Sequence, residues 1–340
     1  MIKLKKIPRR ILIVKPSSLG DIVHSLPFLN SLHSCFPDAT IDWVIARGLE
    51  GLLEGHPMIN RLVVINKDEW RRISRTAETM KELMGLRRAL RDGRYDLVID
   101  LQGLLRSGLM TKATGAPIRV GFSEAREGSR FFYTQTVRGG RDVHAVDRYL
   151  KIAAALGCSA TDVIFPMPVP ARIPKQIRDI RSEITDYIVI VPGARWETKI
   201  WPAERFGELA RLIPLRSIVI GSGADRRRAE EIVIRSGGKA LSLAGKTTLP
   251  ELVELMRTSR CVVTNDSGPM HIAAALDVPV VAIFGPTSPV RTGPYGQRHA
   301  ILKSERDCAP CYKRRCDDVR CMLDITVAMV LENTKGLLVE

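Results

Sequence analysis

Aromatic side chains are scarce, at 5% of 340 residues, and no segment carries the aromatic signature with which RNA-binding modules stack bases. Nucleic acid is therefore not expected as a partner. Long apolar runs are missing as well: stretches such as Val278 to Phe284 fall far short of the roughly 18 residues needed to cross a bilayer. Met1 to Arg10 is basic, but the apolar stretch that follows, Ile11 to Val14, is cut by Lys15, too early for a signal-peptide core. There is no low-complexity tract and no short-period repeat, which argues against disorder and solenoid architectures. Cysteine is thinly spread: seven in a chain of this length, without a secretory signal, predict a reducing compartment rather than a disulfide framework. The cytoplasm is the expected address.

What is present is an ordinary globular composition, 45% hydrophobic and 26% charged, with a formal charge of +15. Such a surplus points to an anionic partner, whether phosphorylated small molecules or membrane head groups, although it also serves solubility. The length exceeds what one hydrophobic core sustains, so two domains with a cleft are expected. Short β-branched or apolar runs at Ile11–Val14, Ile41–Ile45, Leu62–Ile65 and Leu97–Leu101 read as buried strands. Helical patterns at 22–32 and 81–94 alternate with them. Four prolines between Phe165 and Lys175 mark a linker, after which the pattern restarts at Tyr187–Val191, Ser217–Ile220, Cys261–Thr264 and Val280–Phe284. The expected fold is α/β: two Rossmann-like, doubly wound parallel-sheet domains, 1–165 and 184–340, joined by a linker at 166–183. A last helical stretch from Ile325 to Leu338 could pack on either domain.

Three loops carry the chemistry. Lys15-Pro-Ser17-Ser18-Leu-Gly20-Asp21 follows the first strand, where doubly wound folds meet their ligands. Asp21 there is either a group in the cleft or the cap of the next helix. With one glycine, this loop is not a dinucleotide fingerprint, which needs three. Val191-Pro-Gly193-Ala-Arg195-Trp-Glu-Thr-Lys199 follows the first strand of the second domain. Lys199 can meet a phosphate or stay solvated. The most informative motif is Val262-Val-Thr-Asn-Asp266-Ser267-Gly268-Pro269-Met-His271. It places an acid at a strand end and then opens a helix whose free amides and dipole suit a diphosphate. Gly285-Pro-Thr-Ser288 lines the same edge after the next strand.

These motifs, in this order, resemble glycosyltransferase family 9, the lipopolysaccharide heptosyltransferases, over nearly the whole chain. Asp42-Trp-Val, Asp100-Leu-Gln-Gly103, Ala125-Arg126-Glu127 and His144-Ala-Val-Asp-Arg148 make the first half most similar to the branch that adds the first heptose. The resemblance implies two domains facing a cleft, the GT-B arrangement, and ADP-heptose as donor substrate with no cofactor. It implies a Kdo–lipid A acceptor and a site at the cytoplasmic face of the inner membrane; a second-heptose acceptor, an epimerase or another donor on the same scaffold is the alternative. Asp21 matches the family's catalytic base. Lys199, Asp266, Gly268 and His271 match donor-binding positions, and Ser267, Asp225 and Arg195 are assigned with them. Ala194 and Arg195 stand where a relative has hydroxyls, which leaves backbone amides or Arg195 to meet the phosphate.

The acceptor side is assigned to Ser17, Ser18, Gly20 and Arg126. The basic stretch that contains Arg71, Arg72 and Arg75 joins them as a surface for an anionic glycolipid and bilayer, the alternative being a solvated helix of ion pairs. Cys308, Cys311, Cys316 and Cys321 are candidates for a metal, yet their spacing misses the paired C-x2-C pattern, and reduced thiols beside the cleft are the alternative. Some family members carry a similar cluster and others lack one, so it cannot be essential to transfer.

Overall fold

Every residue from Ile11 to Val14 is buried on both faces, which is what a near-continuous apolar run implies in a parallel sheet covered by helices. The computed structural model describes residues 1–71, 76–140, 142–170 and 172–339, the side chains of 71, 76 and 77 excepted. The chain divides into two compact units, Met1–Val169 and Pro170–Glu340.

In the first unit the order is β1 (Arg10–Val14), α1 (Leu19–His24), α2 (Leu26–Cys35), β2 (Thr40–Ala46), β3 (Arg61–Ile65), α3 (Thr76–Asp92), β4 (Leu97–Asp100), α4 (Leu105–Ala113), β5 (Ile118–Phe122), β6 (Gln135–Val137) and α5 (Ala145–Ala155). The strands pair in parallel in the order β3-β2-β1-β4-β5-β6. The helix expected over 22–32 is two helices. They break at Ser25, the N-cap of α2, whose hydroxyl donates to Asp21 O at 2.7 Å.

The second unit runs α6 (Lys175–Glu183), β7 (Tyr187–Val191), α7 (Ala203–Leu212), β8 (Arg216–Val219), α8 (Arg226–Arg235), β9 (Ala240–Ser242), α9 (Leu249–Arg257), β10 (Cys261–Asn265), α10 (Gly268–Ala275), β11 (Val280–Phe284), α11 (Pro289–Thr292), β12 (His299–Lys303), α12 (Arg320–Leu323) and α13 (Val327–Val339). Its sheet order, β12-β11-β10-β7-β8-β9, repeats that of the first unit strand for strand. Trp201 and Phe206 meet edge to face at 4.8 Å inside its core. The last helix belongs here: Val330 joins this core, and Trp201 Nε1 donates to Ile325 O at 2.8 Å.

One expectation is corrected and another qualified. The linker expected at 166–183 contains helix α6 of the second unit, which starts after Pro174 and buries Ile177 completely; proline fits the entry of a helix as readily as it fits a linker. The cysteines, expected to sit in a reducing compartment rather than to form a disulfide framework, include one pair, Cys35 and Cys158, that forms a disulfide with Cα atoms 5.3 Å apart, while the other five are free. Spacing could not reveal it, since 123 positions separate the partners. It joins the end of α2 to the segment after α5, two helices that pack together.

Candidate active site

In a doubly wound sheet the ligand crevice opens where the strand order reverses, outside the carboxyl ends of the strands. The first unit reverses between β1 and β4. The loop after β1 carries Ser17, Ser18, Gly20 and Asp21, and the loop after β4 begins at Asp100. Asp21 is the N3 member of a capping box whose N-cap is Ser18. Its Oδ2 caps α1 by accepting from Ser18 N at 3.0 Å and Ser18 Oγ at 2.6 Å. Its Oδ1 faces Lys15 Nζ at 3.6 Å and accepts from the Tyr149 hydroxyl at 3.4 Å. About a third of the Asp21 side chain is open, at 37% exposure, while Lys15 behind it is at 3%.

Lys15 closes the strand end beneath this carboxylate. Its ammonium reaches Leu101 O at 3.5 Å and lies 5.3 Å from the Tyr149 ring centroid. Burial alone would lower its pKa. Asp21 and Tyr149 more than offset that, so Lys15 sits above its ordinary value and stays charged. Across the switch point, buried Asp100 takes the amides of Gln102 and Gly103 at 2.9 and 3.0 Å and the Tyr133 hydroxyl at 2.7 Å. Burial pushes its pKa up. Glu124 fixes a neighbouring turn by accepting from the Gly139 and Gly140 amides, each at 3.0 Å. Those bonds outweigh its desolvation and hold its pKa at about 2.

The second unit reverses between β7 and β10, and there the donor residues expected from the sequence gather. Lys199 Nζ pairs with Asp266 Oδ2 at 2.6 Å, and the Thr287 hydroxyl donates to the same oxygen at 2.7 Å. Three loops, after β7, β10 and β11, therefore meet at one carboxylate. Buried Asn265 locks two of them, accepting from Trp201 N at 3.1 Å and donating to Pro192 O at 2.8 Å. Ser267 is the N-cap of α10, with Pro269 in its first turn and a buried His271 just beyond. The open amides of that turn form an anion-binding end. Asp225 lies against the loop after β7: a Cβ at position 193 would come within 2.5 Å of its Oδ1, so only glycine allows the approach. Its carboxylate caps the turn that starts at Ser222 and pairs with Arg228 at 3.1 Å.

Other expected residues have exposed or partly exposed side chains or lie outside the described residues. Arg195 is exposed, and Arg126 donates its backbone amide to Gly103 O at 2.9 Å. Arg72 and Arg75 lie outside the described residues, as does the side chain of Arg71. Cys308, Cys311, Cys316 and Cys321 are free thiols, and among the described residues no group of three or more His, Cys, Asp or Glu is arranged to hold a metal ion. Lys15 and Thr287 lie inside quoted motifs but receive no role from the sequence, and Tyr149 lies outside them. Lys15 had a signal, a charge directly after an apolar strand run, whereas Tyr149 follows the quoted His144–Arg148 motif by one position.

Comparison with known proteins identifies the family and the fold. The family model described as glycosyltransferase family 9 (heptosyltransferase) matches residues 83–320. Over 324 residues the chain is 32% identical to lipopolysaccharide heptosyltransferase 1 of Pseudomonas aeruginosa, covering 90% of this chain and 87% of that protein. Among solved structures it is similar to a family 9 glycosyl transferase from Veillonella parvula, with a TM-score of 0.83, 25% identity and 97% of both chains covered. It is also similar to the E. coli heptosyltransferase WaaC with ADP, at a TM-score of 0.81 and 25% identity, covering 96% of this chain and 99% of that one.

Proposed function

The chain belongs to glycosyltransferase family 9, the heptosyltransferases, and we propose that it moves heptose from ADP-L-glycero-β-D-manno-heptose to the Kdo–lipid A inner core of lipopolysaccharide, with inversion. The observation that carries this reading is the meeting of Lys199, Asp266 and Thr287 at the switch point of the second unit, beside the amide-rich end of α10. A departing nucleoside diphosphate gathers negative charge, and fixed donors held ready for it lower the barrier. Lys199 and the α10 amides supply them.

An acceptor hydroxyl is a poor nucleophile until its proton leaves. Asp21 Oδ1 is the base in this reading, with Oδ2 committed to the helix cap. The anomeric carbon is attacked once, so no covalent enzyme intermediate forms and configuration inverts. No metal or organic cofactor enters the scheme.

Contact with an anionic membrane face suits α3. It exposes Met80, Leu83 and Met84 together with Lys81, Arg87, Arg88 and Arg91, the mixture that lets a helix lie in a lipid interface. No helix among the described residues is long and apolar enough to cross a membrane. A transfer assay tests the whole reading: ADP-heptose with Kdo–lipid A yields a heptosylated product, whereas product formed only on an acceptor that already carries heptose reassigns the step, and use of a UDP-sugar instead reassigns the donor.

A further inference from the structure

The loop that bears Cys308, Cys311 and Cys316 does more than join β12 to α12. Its middle is fastened to two of the three donor-side loops, those after β7 and β11. Tyr312 N donates to Pro286 O at 2.8 Å, and the buried Thr198 hydroxyl donates to Lys313 O at 2.8 Å. Its ends are held by ion pairs, Arg306 with Asp324 and Arg320 with Asp318. This anchoring carries Arg314 to Trp196: the guanidinium carbon lies 5.1 Å from the ring centroid, and Lys199 Nζ lies 4.4 Å from that same centroid.

Two cations held at one indole repel each other, and each gains only modestly from the ring. Asp266 answers Lys199. Arg314 has no such answer: among the described residues no carboxylate pairs with it and no acceptor takes its N–H groups, and it is exposed. A guanidinium with its donors open, beside the cation assigned to a phosphate, is suited to a second anionic oxygen.

We propose that Arg314 is a donor-binding residue, forming with Lys199 a two-cation clamp at Trp196 for the diphosphate of the nucleotide sugar. Thr198 is then a positioning residue, setting the clamp through Lys313. This assignment rests on the reading of the second unit as the nucleotide-binding half.

Calorimetric titration of the full-length protein with ADP tests it, using wild type, Arg314→Gln, Arg314→Lys, Lys199→Ala and Thr198→Val. Arg314→Gln is expected to weaken ADP binding about tenfold, as loss of a charge-assisted contact does. It should also flatten the salt dependence of Kd, while Arg314→Lys recovers most of the affinity. Thr198→Val should weaken ADP, yet add nothing when combined with Arg314→Gln. If Arg314→Gln changes Kd less than threefold while Lys199→Ala weakens it, the clamp is wrong and the nucleotide reading stands. If wild type does not bind ADP, the nucleotide reading falls and the clamp with it.

Discussion

Lys15 Nζ and Asp21 Oδ1 stand 3.6 Å apart, a buried ammonium beneath a half-open carboxylate. The lysine reaches no solvent, so its charge acts on Asp21 with little screening. Lys15→Met keeps the length and removes the charge. Turnover should fall about tenfold or more with ADP affinity unchanged, because the base loses the neighbour that orients it. Unaltered kcat would reduce Lys15 to a packing residue.

Cap and base can be separated at Asp21. Asp21→Asn retains an oxygen for the Ser18 cap but cannot accept a proton from the acceptor. We expect kcat lower by roughly 10²–10⁴-fold, the range for a positioned general base, with the melting temperature lowered because buried Lys15 loses its carboxylate. A variant that melts early but turns over normally once folded would show that Asp21 only caps α1.

Lys199→Ala should act in both ground and transition states. ADP binding and kcat/KM are each expected to drop about tenfold or more, with Asp266 left without its cation. Equal ADP affinity in wild type and variant, measured by calorimetry, would remove Lys199 from the donor site.

Glu124 gives a pH signature. Its folded pKa of about 2 lies below the ordinary carboxylate value, so its stabilisation is complete above roughly pH 4.3 and fades as pH falls toward 2. Glu124→Gln should therefore cost about 1 kcal/mol at neutral pH, discounted for the solvent that reaches the group. The gap from wild type should close on acidification. A gap that holds constant from pH 7 to 3 would mean that the carboxylate charge is not what fixes the Gly139–Gly140 turn.

For the membrane, Arg71, Arg72 and Arg75 are reversed to Glu together. Each basic group near an anionic surface contributes about 1 kcal/mol and is screened by salt. Salt-sensitive binding to anionic vesicles should be lost and the acceptor KM raised, with ADP affinity intact. Vesicle binding and KM that do not move would place lipid recognition elsewhere.

The central strands were legible because burial on both faces leaves a plain apolar run, as in Val280–Phe284, buried throughout. The strands missed are of another kind. In β5 the run is broken by Arg119, whose guanidinium donates to the carbonyls of Phe132 and Ala116. β6, β9 and β12 are edge strands, partly exposed and without the apolar density that pattern reading needs. The site divides in the same way. Asp21, Lys199 and Asp266 follow directly on readable strands, so their loops announced them. Tyr149 meets Asp21 from 128 positions away, and no local spacing encodes such a meeting.

Each sheet draws all six of its strands from one unit, in one repeated order. The two ligand-facing edges therefore rest on separate foundations. In the proposed function the loops around 192–199, 265–271 and 285–288 hold the nucleotide and stand on the second sheet, while those around 15–21 and 100–103 stand on the first. On that reading, donor preference and acceptor preference are written in different stretches of the sequence, so a chain built this way can acquire a new acceptor by revising residues of its first unit.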